Sequence, residues 1–453
     1  MSGAARSTAV VGSGVAGLTA SHILCRGGHE VTLYEADDRL GGHAHTHDVP
    51  SADGRIHHID SGFIVHNART YPYLLRLFRE LGVQTQESEM SMSVRCEGCG
   101  LQYAGARGLR GVFAQPRNAL NPSYLRMLAE IPRFHRAARR LLAQVHEHPP
   151  NEQSGHQGPV RDRLGHEHQQ EPEKSAQQVP ELGAFLAAGG FSSYFVAHFV
   201  TPLVSAVWSC DAQTALRYPA PYLFRFLDHH GLLSVGGSPS WRTVTGGSRA
   251  YVERIGKQLT AVHTATPVRA VTRGERGATV TAEDGRAESY DGVVLAVHPG
   301  QALALLTDAT AAEQEVLGAF RYSRNPAQLH TDTSLLPGAP GAGASWNMLL
   351  PDCDAGAAAV RISYDMNRLQ RLDAPERYVV TLNGADLVDE RRVVARMDYE
   401  HPVYTPESVA AQRRLPTLNS CTTAFAGAYH GWGFHEDGCR SGVRAAASLG
   451  VAW

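Results

Sequence analysis

Residues 8–17 read Thr8-Ala9-Val10-Val11-Gly12-Ser13-Gly14-Val15-Ala16-Gly17, a short apolar strand running into G-x-G-x-x-G. A helical stretch follows to Arg26, Gly27-Gly28 supplies a stop, and residues 30–35 form a second strand ending in Glu35. Glycines at these positions let the chain turn tightly and bring its backbone against a pyrophosphate. The opening helix then offers that group unpaired N–H donors and the positive end of its dipole. Glu35 is placed to accept hydrogen bonds from both hydroxyls of a ribose. A glycine-rich turn alone is common in structural roles. Strand, turn, helix and acid in this order define a dinucleotide-binding unit, with Gly12, Ser13, Gly14, Val15, Ala16, Gly17, Glu35 and Ala36 as candidate contacts.

The composition narrows what surrounds this unit. A chain of 453 residues has room for about two or three domains. With 43% hydrophobic and 19% charged residues it can bury a large core. Lys and Arg number 42 against 44 Asp and Glu, a net charge of −2 that argues against nucleic acid as a partner. Seven scattered cysteines make no disulfide framework. The first residues lead directly into the strand without the apolar stretch of a signal peptide. The most apolar segment, 191–208, is interrupted by His198 and Pro202 and reads as a buried helix rather than a membrane span. The expected location is the cytoplasm, with a membrane-surface contact left open.

Further along, apolar spacing predicts helices over 70–81, 123–145, within 181–230 and over 436–449. Strands are predicted at 268–273, 279–282, 293–297, 328–331, 360–364, 378–382 and 423–426. From 147 to 180 Pro, Gln, Glu and His dominate, and too little apolar surface exists to offset the ordering entropy, so a disordered insertion is expected. Its histidines lack regular spacing. Cys96-Glu97-Gly98-Cys99 has C-x-x-C spacing, but no second pair completes four zinc ligands. Glu97-Gly98 works as a two-residue turn, so 91–95 and 101–103 read as a hairpin and no metal site is expected.

A nicotinamide enzyme needs no second glycine pair after its second strand, whereas this chain has Asp38-Arg39-Leu40-Gly41-Gly42-His43. On these residues it resembles the flavin amine oxidase superfamily, which includes monoamine oxidases, protoporphyrinogen oxidase and phytoene desaturases. Thr266-Pro267-Val268, Phe425-Ala426-Gly427-Ala428-Tyr429 and Phe434-His435-Glu436-Asp437-Gly438 match further family segments. The resemblance implies FAD, with Arg39, Gly41 and Gly42 along its phosphate and ribityl chain and Val268 at adenine. It also implies that the last helix aims its N-terminus at the flavin pyrimidine, where a dipole stabilises negative charge. His43, Asp60, Gly62, Gly427, Phe434, His435, Glu436 and Asp437 complete the implied cofactor contacts.

The implied fold class is α/β. A Rossmann-type FAD-binding domain (1–88, 238–305 and 415–453) would be interleaved with an α+β substrate domain (89–237 and 306–414). The similarity is nearest to a bacterial amine-oxidase-like subgroup, on residues such as Asp60-Ser61-Gly62-Phe63-Ile64-Val65 and Gly231-Leu232-Leu233. Members of that subgroup accompany cyclopropane-fatty-acid-synthase-like methyltransferases, which implies an apolar fatty-acyl or lipid substrate and a lipid methyltransferase as partner.

Two departures from the family pattern bear on chemistry. Lys174 and Lys257 are the chain's lysines, and neither sits where amine oxidases hold a water near flavin N5. Cys421 and Cys439 flank the C-terminal motif without matching the cysteine that tethers flavin in monoamine oxidases, so FAD is expected to bind noncovalently. Tyr429, His430, Trp432 and His435 are candidates for the flavin's surroundings, with Tyr429, His430 and His435 as candidate catalytic groups and ordinary packing as the alternative. Trp208, Tyr222, Phe224, Phe226 and Trp241 read either as a substrate cavity lining or as core. The expected reaction is hydride transfer to FAD. Amine oxidation, redox-neutral isomerisation and a non-catalytic flavin-binding role are the alternatives.

Overall fold

Strand Ser7–Val11 (β1), helix Val15–Arg26 (α1) and strand Glu30–Tyr34 (β2) follow the spacing of the opening motif. The computed structural model describes residues 5–147, 179–234, 236, 238–354 and 361–453. All but the edge residues of the 147–180 insertion lie outside that range, as does Val360 at the start of the strand expected at 360–364.

β1 is the middle of a parallel sheet whose order is Ala261–His263, Glu30–Tyr34, Ser7–Val11, Gly292–Leu295, Thr423–Phe425. Its strands are near-continuous runs of apolar residues because both faces are covered. Val10, Val31, Leu33 and Val294 pack under α1 and helix His435–Ser448. Ala9, Val11, Val293 and Leu295 pack on the other side with the antiparallel strands Val268–Gly274, Gly277–Ala282 and Ala287–Tyr290. The carboxyl ends of β1 and Gly292–Leu295 are neighbours, and the chain order reverses there, the place where open α/β sheets bind ligands.

A second sheet has seven strands, in the order Val393–Val403, Arg321–His330, Val379–Leu382, Arg361–Asp365, Trp346–Leu350, Met92–Cys96, Gln102–Gly105. Against it lies a helical block that includes Pro122–Glu147, Thr201–Trp208 and Ala220–His229. Phe134, Phe195 and Phe224 meet edge-on or tilted inside that block, at centroid separations of 5.5–5.8 Å from Phe134. Trp208, Phe224 and Phe226 are at most 3% exposed, so of the two readings open for these rings, core describes their packing.

The expected hairpin is present as Met92–Cys96 paired with Gln102–Gly105. Among the elements absent from the sequence reading are the hairpin Thr46–Pro50 with Ile56–Asp60, strand Trp346–Leu350, and strand Val393–Val403. In the last, residues such as Arg396, Asp398 and Glu400 alternate with half-buried ones, and the polar face conceals the period. Among the described residues no helix is long and apolar enough to cross a membrane.

Candidate active site

The glycine turn is closed at its ends and open at its middle. Gly12 adopts φ +99°, and a Cβ there would stand 2.6 Å from the Ala296 carbonyl oxygen. A Cβ on Gly17 would stand 2.0 Å from the Gly12 oxygen, so α1 can approach the strand only without one. At Gly14 an added Cβ meets nothing within 4 Å. Gly42 leans over this turn: its Cβ would lie 3.3 Å from Gly14 Cα, and its φ of +55° is the left-handed region that favours glycine. The second glycine pair thus lies against the first, as a shared phosphate site requires.

Glu35 stands beside the turn but is partly engaged. Its Oε2 accepts the Ser13 N–H at 2.9 Å and the Ser13 hydroxyl, and its Oε1 accepts the Asp37 N–H at 3.0 Å. A carboxylate has about four acceptor sites, so one remains on Oε1. Ala36 is exposed next to it. The Thr266 N–H donates to the Glu35 carbonyl at 2.9 Å, which draws the segment leading to Val268 alongside. Arg39 donates to the Gly42 carbonyl at 2.9 Å and supplies a cation at the glycine pair.

Helix His435–Ser448 folds back onto α1. A Cβ on Gly438 would lie 2.6 Å from Val15 Cγ1, and one on Gly442 would lie 2.4 Å from the Ala16 oxygen. The Thr19 hydroxyl donates to the Cys439 thiol at 3.5 Å. Two helix N-termini therefore begin on the same side of the parallel sheet.

Three of the predicted contacts hold hydrogen bonds within the protein. Asp60 accepts the Thr46 hydroxyl at 2.6 Å and both the N–H and the hydroxyl of Ser248, joining the Thr46–Asp60 hairpin to the Gly246-Gly247 loop. Glu436 accepts the Tyr73 and Leu74 N–H groups, each at 3.0 Å, and so caps helix Pro72–Leu81. Asp437 accepts the Trp432 and Phe434 N–H groups and the Arg440 guanidinium. Burial raises all three carboxyls, Asp60 and Asp437 to about 6 and Glu436 to about 7. As built, these groups shape the site from behind.

Around the C-terminal turn several buried polar atoms have no partner among the described residues. They are the Tyr429 hydroxyl, His430 Nε2, Trp432 Nε1 and, across the turn, His43 Nε2. Unpaired buried groups are costly, and a polar ligand at this turn would satisfy these four. Gly427 donates its N–H to Ser441 at 2.9 Å, Gly62 packs against the His43 carbonyl, and Phe434 lies 4.9 Å from Phe226. His435 stacks on Phe63 at 3.6 Å and meets the Tyr251 hydroxyl at 3.2 Å. Burial pushes His430 and His435 down to about 3, so both imidazoles are neutral near pH 7 and neither is an acid there. The expectation of proton exchange by these histidines near neutral pH conflicts with that burial.

Sequence reasoning missed the group that faces His43. The Tyr399 and His401 rings lie 4.8 and 5.4 Å from it, both carried by strand Val393–Val403. Burial, and then His401, His298 and His435, hold His43 well below the usual histidine range. His401 is pushed down to about 4. His298 pairs with Glu400 at 3.0 Å. No local pattern marks these residues, because sheet pairing alone brings them to His43. Lys257 is exposed at the end of helix Arg249–Gly256, and Lys174 lies outside the described residues.

An open glycine turn at a helix N-terminus, a ribose-facing acid, one arginine and a ring of unpaired donors fit the diphosphate, ribose and ring of FAD. Fold and site together define a flavin-dependent oxidoreductase of the two-domain amine-oxidase type. The chain belongs to the flavin-containing amine oxidoreductase family, whose model matches residues 15–333.

Among curated proteins, 38 residues are 60% identical to a flavin-dependent L-tryptophan oxidase of Lentzea aerocolonigenes, covering 8% of each chain. Another 38-residue match, 55% identical, is to an L-amino-acid oxidase of Bungarus fasciatus, covering 8% of this chain and 7% of that one. The matches thus span under a tenth of these relatives' length. Among solved structures, a CLA-producing fatty acid isomerase from P. acnes aligns with TM-score 0.65 at 17% identity over 98% of both chains. Cyclohexylamine oxidase from Brevibacterium oxydans aligns with TM-score 0.64 at 16% identity, again over 98% of both. At such identities the likeness is one of fold.

Proposed function

We propose that this protein oxidises an apolar fatty-acyl or lipid substrate with noncovalently bound FAD. The observation that carries the substrate class is the charge state of the site. An amine substrate is a cation at neutral pH, and a free carboxylate nearby would favour it. Here Asp60, Glu436 and Asp437 are each committed to backbone N–H groups, and Glu400 to His298. On the facing strand, Tyr399 and His401 are uncharged rings whose polar atoms already have partners in Ser61 and Asn325. Such a wall excludes water and favours a hydrocarbon.

FAD, when bound, supplies the hydride-accepting chemistry. The chain's part is to hold it: the glycine turn, Glu35 and Arg39 at the nucleotide end, and the unpaired donors of Tyr429, His430 and Trp432 at the other. Cys421 is exposed and Cys439 is tied to Thr19, which supports noncovalent binding. The substrate domain, drawn from 89–237 and 306–414, would close over the ring through strand Val393–Val403. A lipid methyltransferase is the partner this reading favours, since it would act on the same class of chain.

The test is anaerobic bleaching of the purified holoprotein by fatty acids, phospholipid vesicles and small amines in parallel. Bleaching by acyl chains supports the proposal. Bleaching by amines alone, with peroxide formed in air, shows an amine oxidase. An altered acyl product without bleaching or acceptor shows an isomerase. Complex formation with a lipid methyltransferase and no turnover of any substrate shows a binding partner. Each of the last three overturns the proposal.

A further inference from the structure

Far from the glycine turn in sequence, three separate elements bring four metal-ligating side chains together. Strands Met92–Cys96 and Trp346–Leu350 run parallel, with Leu350 opposite Cys96, so both strands end side by side. The Glu97 N–H donates to the Leu350 carbonyl at 2.9 Å, which holds the Cys96–Cys99 turn against the chain that leaves Leu350. Cys353 lies on that chain. A Cβ on Gly98 would stand 2.8 Å from Asp352 Oδ1 and 3.0 Å from the Cys353 nitrogen, so the absence of a side chain at 98 is what allows this approach. The fourth group, His198, comes from the helical block, on the stretch Val196–Val200 with the wider π-helical hydrogen bonding. Such bulges recur at functional sites. The Tyr103 hydroxyl donates to the His198 carbonyl at 2.8 Å and fixes this helix to the hairpin.

The ligand atoms of Cys96, Cys99, His198 and Cys353 all lie within 4.8 Å of one another. Cys96 Sγ is 3.8 Å from Cys353 Sγ, and Cys99 Sγ is 3.5 Å from His198 Nε2. A tetrahedral zinc with sulfur at about 2.3 Å and nitrogen at about 2.0 Å has edges of about 3.8 Å between sulfurs and about 3.5 Å between sulfur and nitrogen. A disulfide needs about 2.0 Å between sulfurs, far less than the separation seen. His198 is also oriented as a ligand. Its Nδ1 faces the Tyr194 carbonyl at 3.1 Å, which fixes the proton on Nδ1 and leaves the Nε2 lone pair toward the cluster. The Tyr194 ring stacks on the imidazole at 4.1 Å.

We infer that Cys96, Cys99, His198 and Cys353 form a structural zinc site that clamps the helical block to the edge of the seven-stranded sheet. Binding converts three thiols to thiolates, with the protons released to solvent, and the imidazole binds neutral. Four protein ligands leave no open position, so the ion's role is cohesion rather than catalysis. The sequence reading looked for a second C-x-x-C pair; here the two remaining ligands are single residues, distant in the chain and from different elements.

The test uses the full holoprotein, purified with reductant and then dialysed against a mild chelator. The expected result is one zinc per chain by elemental analysis, with X-ray absorption showing three sulfurs and one nitrogen around it. Cobalt(II) exchanged for zinc should give the intense visible bands of a tetrahedral thiolate site. Cys353→Ser and His198→Ala should each lose most of the zinc, whereas Cys421→Ser, at an exposed cysteine elsewhere, should keep it. Should the substitutions prevent folding, the coordination of the wild-type ion still decides. Reduced wild-type protein that holds no zinc and gives no tetrahedral cobalt spectrum overturns the inference. So does metal-free protein in which Cys96 and Cys353 are found joined as a disulfide.

Discussion

The two ends of the cofactor site are built on opposite plans. At the Gly12–Gly17 turn the protein leaves room, because Gly14 faces open space while Gly12 and Gly17 are pressed against their neighbours. At the 427–437 turn there is little room. A Cβ on Gly431 would meet Asp437 Oδ1 at 2.0 Å, and one on Gly433 would meet Pro402 at 2.9 Å. What that second turn offers is unpaired hydrogen-bonding atoms on buried rings. One end is thus shaped to receive a group of atoms, and the other to satisfy bonds with a ring already held.

The sharpest way to break this contrast is at Gly17. A Gly17→Val chain must displace the Gly12 carbonyl, a backbone atom, at a cost of about 3 kcal/mol or more. Little folded, flavin-containing protein is expected, as read from soluble yield and thermal unfolding. Acid acts on the other end. His401, His430 and His435 titrate at about 4, 3 and 3 when folded, against about 6.5 when unfolded. Their contribution is complete above pH 6.5 and is lost as the pH falls toward their folded values. At pH 5 each imidazole kept neutral costs the folded state about 2 kcal/mol. Asp60, Asp437 and Glu436 act in the opposite sense, gaining as pH falls below about 6–7, but His45, His47, His66, His230 and His330, which burial also pushes down to about 3 or 4, bring the neutral histidines to eight against these three carboxyls. Flavin-free protein should therefore be less stable to urea at pH 5 than at pH 7, and equal stability at the two values would contradict the neutral-ring picture.

Gly14→Ala sharpens the comparison from the open side. Gly14 has φ −60°, which alanine adopts freely, and its Cβ meets no protein atom. The apoprotein should melt as the wild type does, while FAD affinity drops about tenfold because the methyl group occupies the phosphate's approach. A titration that finds affinity unchanged would show that the diphosphate lies elsewhere. The smallest effect is expected for Tyr429→Phe. Its buried hydroxyl has no partner among the described residues, so removing it should raise flavin-free stability to urea by about 1 kcal/mol.

The difference between the two ends also explains what could be read in advance. Strand, glycine turn, helix and Glu35 are neighbours in the chain, and the spacing of the three glycines is fixed within that short span, so the unit is visible in the letters. Glu436 and Asp437 stand in a recognisable motif, but whether their oxygens meet a cofactor or N–H groups of Tyr73, Leu74, Trp432 and Phe434 depends on which elements fold against them. The same holds for Asp60 with Ser248. Tyr399 and His401 ride on a strand whose charged alternate residues read as loop, and only its pairing with Arg321–His330 brings them to His43. Cys353 and His198 were passed over for a related reason: a metal cluster assembled from single residues has no spacing to detect.

The glycine-to-backbone contact between helix His435–Ser448 and the opening helix has a consequence for biosynthesis. Thr19 and Cys439, which meet there, are 420 positions apart. A nascent chain emerging from the ribosome therefore carries its phosphate-binding turn long before the far wall has been made. A site walled by both helices is complete only once that later helix has folded back onto the first.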